Sequence, residues 1–347
     1  MRAARGRDGS RLAVLGGAWL SAYGKGNVIG SRLCVPVDGY RLGMAGGSYR
    51  TVIVAVAANL AIALAKIVAA VLTGSASMWA EALHSVADTG NEVLLFVGLR
   101  KSARAPDPSR PFGYGQERYF WAFLAALGIF LIGGALSVGE GIRSLLLPEP
   151  VESLGVGIGV LVAAAGFEGY SWHTARKQLK QESQERRRSM AQHLVRASDP
   201  SATTVFLEDT AALVGIALAL AGLVLHAVTG WAAWDAIGSV AIGVLLIVVA
   251  FLLARKSKDL LLEAAAPDDV VEPIRRRVAE TDWVGEPTTV HAVYVGPSSL
   301  LVNVLVAPVR DGAPESAAAL IEKVDRLRSE LAADPSIAQV TVTVTAS

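Results

Sequence analysis

The segment Glu81-Ala-Leu-His84-Ser-Val-Ala-Asp88 sets an imidazole and a carboxylate four residues apart. On a helix that spacing puts both on one face, with Cβ atoms roughly 5–6 Å apart, so both reach one ion. A neutral imidazole beside a carboxylate suits Zn²⁺, whereas an all-oxygen set favours Mg²⁺, Ca²⁺ or Mn²⁺. A second acidic pair, Glu208-Asp209, interrupts another apolar run. Charged side chains near a bilayer centre cost about 2.5–3.5 kcal/mol each on insertion scales, and something must offset that. Three carboxylates and a histidine gathered without a cation repel one another, and a metal removes the repulsion. The plainer alternative is that His84 and Asp88 hydrogen-bond neighbouring helices together. Consecutive helical residues diverge by about 100°, so Glu208 and Asp209 do not both face one ion without distortion.

The rest of the chain is built to hold such groups inside a membrane. Of 347 residues, 52% are hydrophobic and only 18% charged, and the mean hydropathy is +0.45; soluble domains run nearer a quarter charged. The formal net charge of +1 argues against a nucleic-acid binder, which needs a clustered basic surface on a soluble fold. The single cysteine, Cys34, excludes an intramolecular disulfide and a cysteine-rich metal site. Any metal is therefore left to His, Asp and Glu.

Apolar runs of spanning length predict six membrane helices: 51–73, 77–99, 119–146, 154–173, 202–227 and 234–254. Arg100, Lys101, Arg104, Arg110 and Arg118 crowd one connection. Arg176, Lys177, Lys180, Arg186, Arg187, Arg188 and Arg196 crowd another, while 74–76, 147–153 and 228–233 hold no Lys or Arg. The positive-inside rule then puts both termini and the two long loops in the cytoplasm of a multi-pass cell-membrane protein.

Residues 1–48 read as a disordered leader or a misassigned start. The apolar patch 12–20 is broken by Gly16 and Gly17 and is too short to span; a signal peptide is the alternative. Residues 49–258 form the expected six-helix transmembrane domain, and 259–347 a cytoplasmic domain. The latter reads as helix 267–280, strands 288–294 and 300–308, helix 314–333 and strand 337–345. That αββαβ order predicts a small α+β, ferredoxin-like module, one sheet covered on one face by two helices.

Other polar residues have plainer roles. Lys66, Asn59 and Asp235 are explained by pairing, capping or snorkelling, and Glu140 by an ion pair with Arg143 at i+3. Gly133, Gly134, Gly238, Gly243, Gly155, Gly157 and Gly159 permit close helix packing. The run 186–188 is topology-setting charge. His291 is the single histidine of the C-terminal module, a surface residue on that count. Neither Gly-x-Ser-x-Gly nor His-Glu-x-x-His occurs, which argues against an intramembrane hydrolase.

With these residues in place the chain resembles the cation diffusion facilitator family. The resemblance runs from about Tyr49 to Thr345 and rests on Ser75-Ala-Ser-Met78, Ala80-Glu-Ala-Leu-His84, Asp88, Pro111-Phe-Gly-Tyr-Gly115 with Arg118-Tyr119, Asp209 and Trp234-Asp-Ala-Ile-Gly-Ser239. These motifs look like the branch of mitochondrial and bacterial zinc-transporter-like members. The resemblance implies a homodimer exporting Zn²⁺ from the cytoplasm in exchange for protons, with metal ligands His84, Asp88 and Asp209. It also marks a departure, because the family's fourth ligand precedes the acid of helix five by four residues, and that position is Val205. Glu208 is the expected substitute, with water or Ser85 filling the remaining gap. No cofactor is expected, and the metal is cargo. Export of Mn²⁺, Fe²⁺ or Co²⁺ on the same scaffold, or a non-transporting membrane scaffold with a degenerate site, are the alternatives.

Overall fold

The computed structural model of the chain describes residues 48–185, 188–196, 201–297, 299–309 and 316–345. The expected leader lies outside these except for Ser48. α1 (Ser48–Thr73) and α2 (Ala76–Ser102) form a hairpin turned by Gly74, whose φ of +66° is a left-handed conformation that favours glycine. The next run is one rod of α3 (Glu117–Gly128), a π-helical turn (Ile129–Ala135) and α4 (Leu136–Leu146). α5 (Leu154–Glu185), the short α6 (Met190–Arg196), α7 (Ser201–Thr229) and α8 (Ala233–Leu261) complete the helical part.

Five of these stretches are long and apolar enough to cross a membrane: α1, the α3–α4 rod, α5, α7 and α8. The sixth, α2, has 27 residues, but Glu81, Asp88 and Glu92 inside it break the apolar run. α2 nonetheless sits centrally, packing against α1, α3, α4, α7 and α8. α5 continues past the apolar run ending at His173. Residues 174–185 are mostly good helix formers, and Ala175, Leu179 and Ser183, four apart, stay buried along one stripe.

Close packing between the rod and α8 depends on missing side chains. A Cβ on Gly134 would stand 2.6 Å from Ile247 Cγ1, and one on Gly243 would stand 2.7 Å from the Val138 nitrogen and 2.9 Å from the Gly134 carbonyl oxygen. Small residues that bring backbones together are the usual adhesive where hydrophobic burial gives no net drive. Gly155 and Gly159, by contrast, have open space around them.

The C-terminal part follows the expected order: α9 (Asp268–Ala279), β1 (Val284–Gly296), β2 (Ser299–Pro308), α10 (Ala317–Ala332) and β3 (Ile337–Val344). β1 pairs antiparallel with β2, and β2 pairs parallel with β3. Val290, Ala292 and Tyr294 of β1 and Leu300, Val302, Val304 and Val306 of β2 share one face, as period-two alternation dictates. That face packs with Val271, Ile274 and Val278 of α9 and Leu327 and Leu331 of α10. His291 is exposed.

The two parts meet through the α2–α3 connection. Tyr119 is buried in the C-terminal core, and a Cβ on Gly115 would lie 2.5 Å from the Val295 carbonyl oxygen and 2.7 Å from Gly296 Cα. Arg188 pairs with Asp269 at a second junction. Within the connection, Asp107 accepts hydrogen bonds from the Ser109 and Tyr114 hydroxyls at 2.6 Å each, which hold its carboxyl below the usual carboxylate range.

Candidate metal site

The face of α2 that reads Glu81, His84, Ser85, Asp88, Asn91 and Glu92 repeats at three- and four-residue intervals and forms one polar stripe along the helix. His84 is 1% exposed, and Asp88 Oδ2 lies 3.4 Å from its Nε2. That separation is too long for a hydrogen bond. Both ring nitrogens, Asp88 Oδ1 and Ser85 Oγ are buried without a hydrogen-bond partner among the described residues.

Each end of the stripe is tied to another helix. Lys66 of α1, fully buried, donates to Glu81 Oε2 at 2.8 Å. Asn59, two turns earlier, donates to Glu92 Oε1 at 2.7 Å. Asn91 donates to both oxygens of Glu208 on α7, at 2.7 and 2.6 Å. Lys66 and Asn59 are thus engaged in pairing, as their plainer explanation predicts, and Asp235 caps a helix.

Neighbouring positions on α7 diverge as helix geometry requires. Glu208 turns toward Asn91 of α2. Asp209 turns toward α5, where Ser171 hydrogen-bonds it and Trp172 donates to Thr210 at 3.0 Å. Both acids remain within electrostatic range of Asp88. His84, Asp88, Asp209 and Glu208 therefore occupy one polar interior, but no three His, Cys, Asp or Glu side chains among the described residues are drawn together at coordinating distance.

The structure adds one acid that the motif reading passed over. Glu168 of α5 lines a small cavity with Asp88, Ser85, Asn59 and Ile62. Its signal was present, since it is the single charged residue between Leu154 and His173, and a lone acid in a spanning run is a functional-site signal by default. Glu92 and Asn91 were equally available by extending the His84–Asp88 period another turn.

Largely buried carboxylates around the Lys66 ammonium, with both His84 ring nitrogens unpartnered among the described residues, make a donor set of the kind that suits a divalent cation. Residues 52–262 match the cation efflux transmembrane domain family, and the chain belongs to that family, the cation diffusion facilitators. Among curated relatives, it is 38% identical to the mitochondrial proton-coupled zinc antiporter SLC30A9 of Xenopus laevis over 225 residues, 65% of this chain and 40% of the relative. It is 32% identical to metal tolerance protein C4 of Arabidopsis thaliana over 220 residues, covering 63% and 48%. With the metal cation efflux system protein CzcD of Cupriavidus metallidurans it shares 27% over 293 residues, covering 81% and 84%. The chain thus spans less than half the length of the first two.

Proposed function

We propose that this chain is a secondary transporter, not an enzyme, that moves divalent metal cations, Zn²⁺ foremost, out of the cytoplasm in exchange for protons. The observation that carries this is the His84–Asp88 pair on α2, whose ring nitrogens and Oδ1 have no hydrogen-bond partner among the described residues, within electrostatic range of Glu208 and Asp209 on α7. In this reading neutral His84, Asp88 and Asp209 are the cation's ligands. Glu208, already held by Asn91, is released to the cation or orients α2. Metal and protons compete for the same lone pairs, so arrival of one displaces the other. All six long helices span the membrane, α2 included, because its acids face the bundle interior and not lipid. The basic connections support cytoplasmic termini by the positive-inside rule, with the cell membrane as the host in this reading, although the vertebrate relatives carry "mitochondrial" in their names. A homodimer is part of the same proposal.

One observation favours a second reading. Asn91 satisfies both Glu208 oxygens, which is what interhelical adhesive does, and a scaffold with a degenerate site would use it so. Zinc uptake into inverted vesicles or proteoliposomes separates the two, comparing wild type, His84→Ala and Asp88→Ala under an imposed pH gradient, with Mn²⁺, Fe²⁺ and Co²⁺ alongside. Zinc flux lost in Asp88→Ala supports the exporter. No flux of any metal from folded protein supports the scaffold, and flux indifferent to the pH gradient overturns proton exchange.

A further inference from the structure

We propose that Glu168 of α5 is a direct ligand of the transported cation, and that together with Asp88, Ser85 and Asn59 it forms an oxygen-lined seat that shares Asp88 with His84. The inference rests on the transporter reading and extends its ligand set to a third helix.

The seat is a cavity of about 10 Å³ lined by Asn59 and Ile62 of α1, Ser85 and Asp88 of α2 and Glu168 of α5. A space of that size holds one water-sized body. Four of its five lining residues are polar, whereas cavities that stay empty are ordinarily apolar. Ser85 is 4% exposed and its hydroxyl has no hydrogen-bond partner among the described residues. A hydroxyl so placed serves as a donor to an ion once one enters.

Asp88 joins the two halves. Its Oδ2 is the oxygen nearest His84, and its Oδ1 has no hydrogen-bond partner among the described residues. A carboxylate with one oxygen free can bridge a histidine-facing ion position and an all-oxygen one. Asn59 uses its amide N–H on Glu92, which leaves its carbonyl oxygen as a further neutral donor. Glu168 feels the charges of Lys66 and Glu81, but the Lys66 ammonium is bonded to Glu81, and no ion pair holds Glu168 among the described residues.

The ligand chemistry sets a preference. Hard oxygen donors suit Mn²⁺ and partly hydrated cations, while the imidazole favours Zn²⁺. Glu168 therefore broadens the range of metals accepted, and its loss narrows that range toward zinc.

The test is metal binding to the purified full-length protein in detergent, by calorimetry with Zn²⁺ and Mn²⁺, for wild type, Glu168→Gln and Asp88→Asn. The expected result is Zn²⁺ affinity reduced ~10-fold or more in Glu168→Gln, with Mn²⁺ binding falling further than Zn²⁺. Wild-type affinity for both metals in Glu168→Gln, with binding abolished in Asp88→Asn, overturns the Glu168 role and leaves the transporter reading standing. Unchanged binding in both variants overturns both. If Glu168→Gln does not fold, Glu168→Asp loaded with Co²⁺ decides the matter. A direct ligand shifts the visible d–d bands, and a wild-type spectrum overturns the proposal.

Discussion

Asp235, in the first turn of α8, closes the N terminus of α2 through Ser75. Its Oδ1 accepts the Ser75 hydroxyl at 2.7 Å, its Oδ2 accepts the Ala76 N–H at 2.6 Å, and the Ser77 hydroxyl donates to the same carboxylate. Ser75 in turn accepts from the Met78 N–H at 3.0 Å. The first N–H groups of a helix have no partner inside it. A carboxylate supplied by another helix satisfies them and complements the positive end of the dipole.

Removing that carboxylate strands several buried donors at once. Asp235→Ala is expected to destabilise the protein by about 1–3 kcal/mol or more, the cost of leaving buried donors unsatisfied. Asp235→Asn, which keeps one carbonyl oxygen, should lose less. Thermal unfolding in detergent measures both; equal stability in all three proteins removes the capping role.

The Lys66–Glu81 pair predicts a strongly non-additive double-mutant cycle. Either Lys66→Met or Glu81→Gln alone leaves one uncompensated charge in a fully buried setting, at a cost of about 3–5 kcal/mol. The double variant Lys66→Met/Glu81→Gln should recover much of that loss. Denaturant unfolding of the four proteins measures the coupling, and additive losses would show that the two groups do not act as a pair.

Gly134 and Gly243 are expected to reject even a methyl group. Gly243→Ala meets backbone atoms of the α3–α4 rod, so α8 must move away at a cost of about 1–3 kcal/mol. Gly159→Ala has open space and should gain up to ~1 kcal/mol from helix propensity. Melting temperatures of the two variants should move in opposite directions.

Asp334, in the turn between α10 and β3, accepts from the Ser336 hydroxyl at 2.7 Å and its N–H at 2.9 Å. The Ser336 hydroxyl first, then its N–H and the Arg277 charge, hold the Asp334 carboxyl below its usual value. A depressed folded-state pKa stabilises above the unfolded value, near 3.9, and that contribution is lost as pH falls through the folded value. Asp334→Asn should therefore cost about 0.5–1 kcal/mol at pH 7, and the difference from wild type should vanish in strong acid. Thermal unfolding at the two pH values checks it.

Much of this architecture is legible in the residues because apolar runs and period-two alternation are local signals. The strands 300–308 and 337–345 fall within a residue of the observed β2 and β3. The fourth helix ran longer than its apolar stretch because an amphipathic continuation buries a narrow stripe that bulk hydrophobicity does not register. The sequence placed His84 and Asp88 on one face by spacing alone. It did not reveal that Asn91 takes Glu208, or that Glu168 lines a cavity with Asp88, because those meetings join α2 to α7 and α5. No local period encodes which helices become neighbours.

The polar stripe of α2 also bears on how the protein enters its membrane. A segment with Glu81, Asp88 and Glu92 is a poor candidate for insertion alone, and α1 arrives with an ammonium at Lys66 that is equally unwelcome in lipid. Joined by the short Gly74 turn, the two cancel each other's principal liability through the Lys66–Glu81 contact. α1 and α2 are thus suited to enter the bilayer as a preformed hairpin, so that biogenesis of α2 depends on the segment synthesised just before it.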